Sequence, residues 1–154
     1  MIYTPPMNTA NRDRRKPSIF LAGSIEMGKA EPWQDRLASL LSHKFNIFNP
    51  RRADWDSSWE QTIDNPQFSQ QVTWELDNIK LADYVIMYFQ PGTQSPISLL
   101  ELGILAESKA PQRILVVCPE GFWRKGNVDV VCREYDICQF DSLEKASGYL
   151  LTNH

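Results

Sequence analysis

The most constraining feature of this sequence is a series of short apolar runs separated by stretches of helical periodicity. Ser18-Ile19-Phe20-Leu21-Ala22, Phe45-Asn46-Ile47-Phe48, Tyr84 to Phe89 and Arg113 to Val117 have the length and content of buried strands, and Tyr135 to Phe140 is strand-like. Between them, Trp33, Leu37, Leu40 and Leu41 recur at helical spacing behind Pro32, and Val72, Leu76 and Ile79 form a second stripe. Further helices are expected over Pro96 to Ser108 and from about Ser142 to Leu151. Strands that alternate with helices pair in parallel, and the helices cover both faces of the sheet. The expectation is an α/β fold, a doubly wound sheet of about five parallel strands. Such sheets bind ligands beyond the carboxyl ends of the strands, where the strand order reverses. The segments leaving those ends are Gly23 to Glu31, Asn49 to Ser69, Gln90 to Ser95 and Cys118 to Gly126.

At 154 residues the chain is the length of one domain. Residues 1–17 hold three prolines and the basic cluster Arg12, Arg14, Arg15 and Lys16, with no apolar periodicity, so they are expected to be a mobile lead-in to a domain over 18–154. With a net charge of -3 and much of its positive charge in that lead-in, the body is mildly acidic, which argues against a nucleic-acid binder tracking phosphates. The apolar run at Ile19 to Ala22 is too short for a signal segment or a membrane span. Cys118, Cys132 and Cys138 are odd in number and lack metal-ligand spacing, so neither a disulfide framework nor a zinc site is expected, and a reducing cytoplasm fits. No glycine-rich phosphate cradle is present.

Two local features carry chemistry. The connection from Asn49 to Ser69 is long for an α/β domain, and Arg51, Arg52, Trp55, Trp59 and Phe68 give it anchors. It reads either as a surface loop pinned by its tryptophans or as a lid stacking on an aromatic ligand. The second feature is Glu101, which on a helix has Ile97, Ile104 and Leu105 for neighbours. A carboxylate there either snorkels or caps at the helix edge, or is desolvated for function. Glu75 and Asp77 precede the strand that leads to Glu101, and two carboxyl groups facing one cleft, one ionised and one protonated, suit cleavage of a glycosidic bond.

Ile19-Phe20-Leu21-Ala22-Gly23-Ser24-Ile25, Glu75-Leu76-Asp77-Asn78-Ile79 ahead of Ala82-Asp83, and Ser95-Pro96-Ile97-Ser98-Leu99-Leu100-Glu101-Leu102-Gly103 with Arg124-Lys125-Gly126-Asn127-Val128 resemble the nucleoside 2-deoxyribosyltransferase family. The likeness covers roughly Ser18 to Val131. It implies a flavodoxin-like domain that cleaves the N-glycosidic bond of a 2'-deoxynucleoside by a retaining double displacement, without metal or organic cofactor. The nucleophile position falls on Glu101, and the acid on Glu75, with Asp77 as the nearby alternative. Gly23, Ser24, Glu26, Ser95 and Asn127 fall at substrate-binding positions, and Trp55 of the long connection is a substrate-binding candidate by stacking on the base. Trp33, Trp59 and Trp74 are further candidates for stacking on the base.

The chain departs from the family pattern at three places. Phe20 stands where the family commonly places a tyrosine bonded to the nucleophile, and Ser95 where transferases often carry Asp. In related monophosphate N-glycosidases a serine at that position contacts phosphate, but there Arg follows Gly-Ser-Ile where this chain has Glu26, which favours unphosphorylated nucleosides unless Arg51 or Arg124 compensates. Asn127 matches an asparagine that reaches a neighbouring protomer's site, implying a homo-oligomer, although Gly126-Asn127 is equally well a turn. The implied partners are a deoxynucleoside or deoxynucleotide and a nucleobase, with no nucleic acid and no membrane. The rival readings are a monophosphate N-hydrolase and, supported by Phe20, a noncatalytic nucleotide-binding module.

Overall fold

The computed structural model describes residues 1–25, 31–52 and 54–154. Its elements, in chain order, are β1 (Ile2–Tyr3), β2 (Ser18–Gly23), α1 (Trp33–Leu41), β3 (Asn46–Phe48), α2 (Pro66–Leu81), β4 (Tyr84–Tyr88), α3 (Pro96–Ser108), β5 (Ile114–Val117), α4 (Lys125–Glu134), β6 (Cys138–Phe140) and α5 (Leu143–Asn153). All strand pairs are parallel, in the order β1-β3-β2-β4-β5-β6. From β2 the chain moves one way to β3 and then the other way to β4, so the order reverses between β2 and β4. This is the doubly wound, flavodoxin-like arrangement, with its ligand crevice expected where β2 and β4 end.

Alternation along each strand sorts the apolar residues into two cores. Phe20, Ala22, Val85, Met87, Ile114 and Val116 point to the face covered by α2, α3 and α4, with Trp74, Leu102 and Val128 among their neighbours. Ile19, Leu21, Ile86, Leu115 and Val117 point to the opposite face, against Trp33, Leu37, Leu143 and Leu150 of α1 and α5. At the amino ends of the strands, Ser18 donates to Asp83 Oδ2 through both its backbone N–H and its hydroxyl, each at 2.8 Å. That bond ties the start of β2 to the start of β4.

Three features differ from the sequence expectation. Residues 1–17, read there as a mobile lead-in, supply a sixth strand, since Ile2 and Tyr3 pair with Ile47 and Phe48. The segment is held further by polar bonds: Asn46 Nδ2 donates to the carbonyls of Asp13 and Lys16 at 2.8 and 2.9 Å, and Trp74 Nε1 donates to Met7 O at 2.8 Å. Residues 125–134 form a helix, α4, in which Val128 and Cys132 are the buried positions. The strand expected over Tyr135 to Phe140 is confined to Cys138–Phe140, because Tyr135 caps α4 and Asp136 has a φ of 54°. Among the described residues no helix is long and apolar enough to cross a membrane.

Candidate active site

The exits of β2 and β4 are built to lie close together. Gly23 has a φ of 135°, and a Cβ there would meet Tyr88 O at 2.2 Å, so only glycine lets β2 run this near β4. Its close approach is thus to a neighbouring strand. Ser24 N–H donates to Tyr88 O at 2.9 Å, and Gln90 N–H donates to Ser24 Oγ at 2.9 Å. The Ser24 hydroxyl lies 2.6 Å from that of Ser95 and 2.9 Å from that of Thr93, and the latter two are also 2.9 Å apart. These three buried hydroxyls knit both strand exits to the start of α3. Ser95 takes a left-handed φ of 46°, a conformation unfavourable for a residue with a side chain. Its carbonyl accepts from Leu99 N–H and so opens the helix.

Carried by α3, Glu101 is only 8% exposed. It neither snorkels nor caps. The enclosure differs from the sequence expectation: Ile97 is 59% exposed and Ile104 half-buried, while Ser98, Leu102 and Leu105 share the inward side with Glu101. Burial pushes its carboxyl up to about 8, and the nearby negative charge of Glu75 adds to the rise. No hydrogen-bond donor among the described residues offsets this. Phe20, fully buried on the same face of the sheet and packed 6.3 Å from the Trp74 ring centre, has no hydroxyl to offer.

Glu75 comes from α2, whose inward face is unusually polar: Gln71 and Asn78 are buried there beside Trp74 and Ile79. Asn78 is occupied by the Thr9 hydroxyl, at 2.6 Å from its Oδ1, and by Trp74 O. Gln71 Nε2 donates to Glu75 Oε1 at 2.8 Å and to Pro50 O at 2.9 Å. Burial raises the Glu75 carboxyl above its ordinary value, and the Gln71 amide pulls it partly back. Asp77 lies two positions further on, about 200° around the helix. It is exposed, in a groove with Pro6, Ile63, Asp64 and Trp74. The structure therefore brings Glu75 and Glu101 together and leaves Asp77 on the other side of α2.

The remaining sequence candidates are spread around this pair. Trp33 is fully buried, with its indole N–H on Ser24 O at 3.0 Å, and Trp74 is buried against Phe20, so both serve packing. Trp55 and Trp59 meet edge-on with ring centres 5.2 Å apart, both half-buried, and the Arg52 guanidinium lies 5.1 Å from the Trp59 ring. Arg52 also pairs with Asp54, at 2.6 Å. Asn127 is exposed in the first turn of α4, and Arg124 stacks on exposed Trp123 at 4.2 Å. Glu26 lies outside the described residues. Sequence reasoning missed two polar members of the site. Thr93 sits in the Gln90 to Ser95 segment already singled out, and Gln71 precedes Glu75 by one helical turn, a spacing that could have flagged it.

Competing nucleophiles are disfavoured, because burial pushes the Cys118 thiol up to about 11 and Cys132 up to about 12. Among the described residues no group of three or more His, Cys, Asp or Glu could hold a metal ion. What the arrangement offers is a pair of carboxyl groups raised by burial, in which the charge of one disfavours ionisation of the other, so that a single proton can be held between them. One member can then act as nucleophile while the other acts as acid.

The model of a family described as nucleoside 2-deoxyribosyltransferase like matches residues 16–122, more than half of the chain and a span that includes Glu75, Ser95 and Glu101. No curated protein matches the chain.

Proposed function

Because the chain belongs to the nucleoside 2-deoxyribosyltransferase-like family, we propose that it cleaves the N-glycosidic bond of 2'-deoxynucleosides and passes the deoxyribosyl group to another nucleobase or to water. The observation that carries this reading is the pairing of half-buried Glu75 with buried Glu101, on the helices that flank the crevice where β2 and β4 diverge. In the first step a Glu101 carboxylate oxygen bonds to C1' as the C1'–N bond breaks. The bonding electrons leave with the base, whose nitrogen takes the proton from Glu75. In the second step an incoming base nitrogen or water bonds to C1', giving its proton to Glu75, and the C1'–Glu101 bond opens. Two inversions give net retention, and each transition state places positive charge on the sugar beside an anionic carboxylate.

A second reading, hydrolysis of deoxynucleoside monophosphates, is favoured by the Ser24, Thr93 and Ser95 hydroxyls at the amino end of α3, where backbone polarity also suits an anion. We also assign a second copy of the chain to the outer face of α3 and α4. Ile97 and Leu100 are 59% and 62% exposed there, Trp123 and Val130 are exposed nearby, and Asn127 lies at the start of α4.

Incubation of the protein with a deoxynucleoside and a different free base, then with the monophosphate, separates these readings. Base exchange that Glu101→Ala abolishes supports transfer, and free base released without exchange supports hydrolysis. Binding without turnover of either compound overturns both.

A further inference from the structure

Gln71 is assigned no part in the two-step reaction above, yet it is buried at the acid pair. Its amide spans two acceptors, the carbonyl of Pro50 at the end of β3 and Oε1 of Glu75 one turn along α2. The carbonyl can only accept, so it pins the NH2 end of the amide in place. Reversing the amide would turn Gln71 Oε1 toward two acceptors at once, leaving both without a donor. The observed orientation leaves Gln71 Oε1 buried and without a hydrogen-bond partner among the described residues, a desolvation cost that the fold tolerates to keep the donor facing Glu75.

We infer that Gln71 is a positioning residue that sets where the shared proton of the Glu75 and Glu101 pair resides. This rests on the transfer reading for its consequence in catalysis, though not for the proton placement itself. Two effects follow from the fixed donor. Glu75 Oε1 is held as an acceptor, so when Glu75 is protonated the proton sits on Oε2, the oxygen left to deliver it. In the resting protein, the donor favours ionised Glu75, whereas Glu101 has no donor among the described residues and keeps the proton. The groups facing the pair support this placement. On α2 the neighbour of Glu75 is Gln71 and from α3 the facing charge is Glu101, while β2 contributes apolar Phe20 to the core on this face of the sheet. Burial, the Gln71 amide and the charge of Glu75 are the influences that shift the two carboxyls, and no described cation offsets them. Turnover therefore requires the proton to move from Glu101 to Glu75 once substrate is bound. That transfer frees Glu101 as nucleophile and arms Glu75 as acid, with no net gain or loss of protons.

The test is carbon NMR of protein labelled at the glutamate side-chain carboxyl carbons, titrated from pH 4 to 10. Signals are assigned with Glu75→Gln and Glu101→Gln, and Gln71→Met removes the donor while keeping the length of the side chain. In the wild-type chain, Glu75 should titrate below Glu101. In Gln71→Met that order should narrow or reverse, with a matching shift in the pH profile of kcat/KM. The inference is overturned if Glu101 titrates below Glu75 in the wild type, a result that does not depend on the variant folding. It is equally overturned if a folded Gln71→Met titrates as the wild type does. Absence of turnover with an intact titration order would instead count against the transfer reading alone.

Discussion

Burial of Glu101 makes the stability of the fold depend on pH in a direction opposite to that of most carboxylates. A carboxyl raised from 4.5 to about 8 holds its proton more tightly in the folded chain than in the unfolded one. Between those values the unfolded state binds fewer protons, so stability falls as pH rises, from the ordinary carboxylate range up to about 8. Each tenfold in proton affinity corresponds to about 1.4 kcal/mol, so the full loss is on the order of 4 kcal/mol. Glu101→Gln keeps the shape and removes the ionisation. Chemical unfolding of both proteins at pH 5 and pH 9 isolates the effect, because the intrinsic consequence of the substitution cancels in the difference. The wild type should lose about 4 kcal/mol more than the variant over this interval, or roughly 10 °C in Tm for a chain of this length. Parallel curves across the interval would refute the claim that Glu101 is desolvated.

Other consequences are local. Phe20→Tyr should offer Glu101 a hydrogen-bond donor and shift the alkaline limb of the kcat/KM pH profile to lower pH; an unchanged limb with a loss of about 1–3 kcal/mol in stability would mean that the hydroxyl finds no partner. Glu75→Gln should lower kcat by about 10²–10⁴-fold for substrates whose base needs a proton to leave, while Asp77→Asn, on the exposed side of α2, should leave kcat within a few-fold. Gly23→Ala places a Cβ 2.2 Å from Tyr88 O and should destabilise the fold by on the order of 3 kcal/mol or more, measured by urea unfolding.

The central strands were legible because each is buried on both faces and so is marked by an uninterrupted apolar run. β1 carried no such mark: two residues followed by prolines show no period, and its pairing depends on the exposed edge of β3. α4 was hidden by its first turn, Lys125-Gly126-Asn127, whose glycine and asparagine signal a turn, and by having only Val128 and Cys132 buried. In α2 the apolar stripe misjudged the inward face. Val72 and Leu76 are half-buried, while polar Gln71 and Asn78 point inward, because that face meets the N-terminal segment and the acid pair instead of apolar core alone. For the site, Glu101 was visible as a charge among apolar neighbours, although Ile97, one of those neighbours, faces outward. The choice between Glu75 and Asp77 needed the helix phase, which the burial of Gln71 and Asn78 supplies.

The covalent step is the claim on which the rest depends, and mass spectrometry tests it directly. The protein is incubated with a 2'-fluoro-2'-deoxynucleoside, whose electronegative substituent slows both steps, and is then digested and mapped. The account predicts a fluorodeoxyribosyl adduct on the peptide containing Glu101, absent in Glu101→Gln. An enzyme that turns over this compound without forming the adduct, or that carries it on another residue, would contradict it.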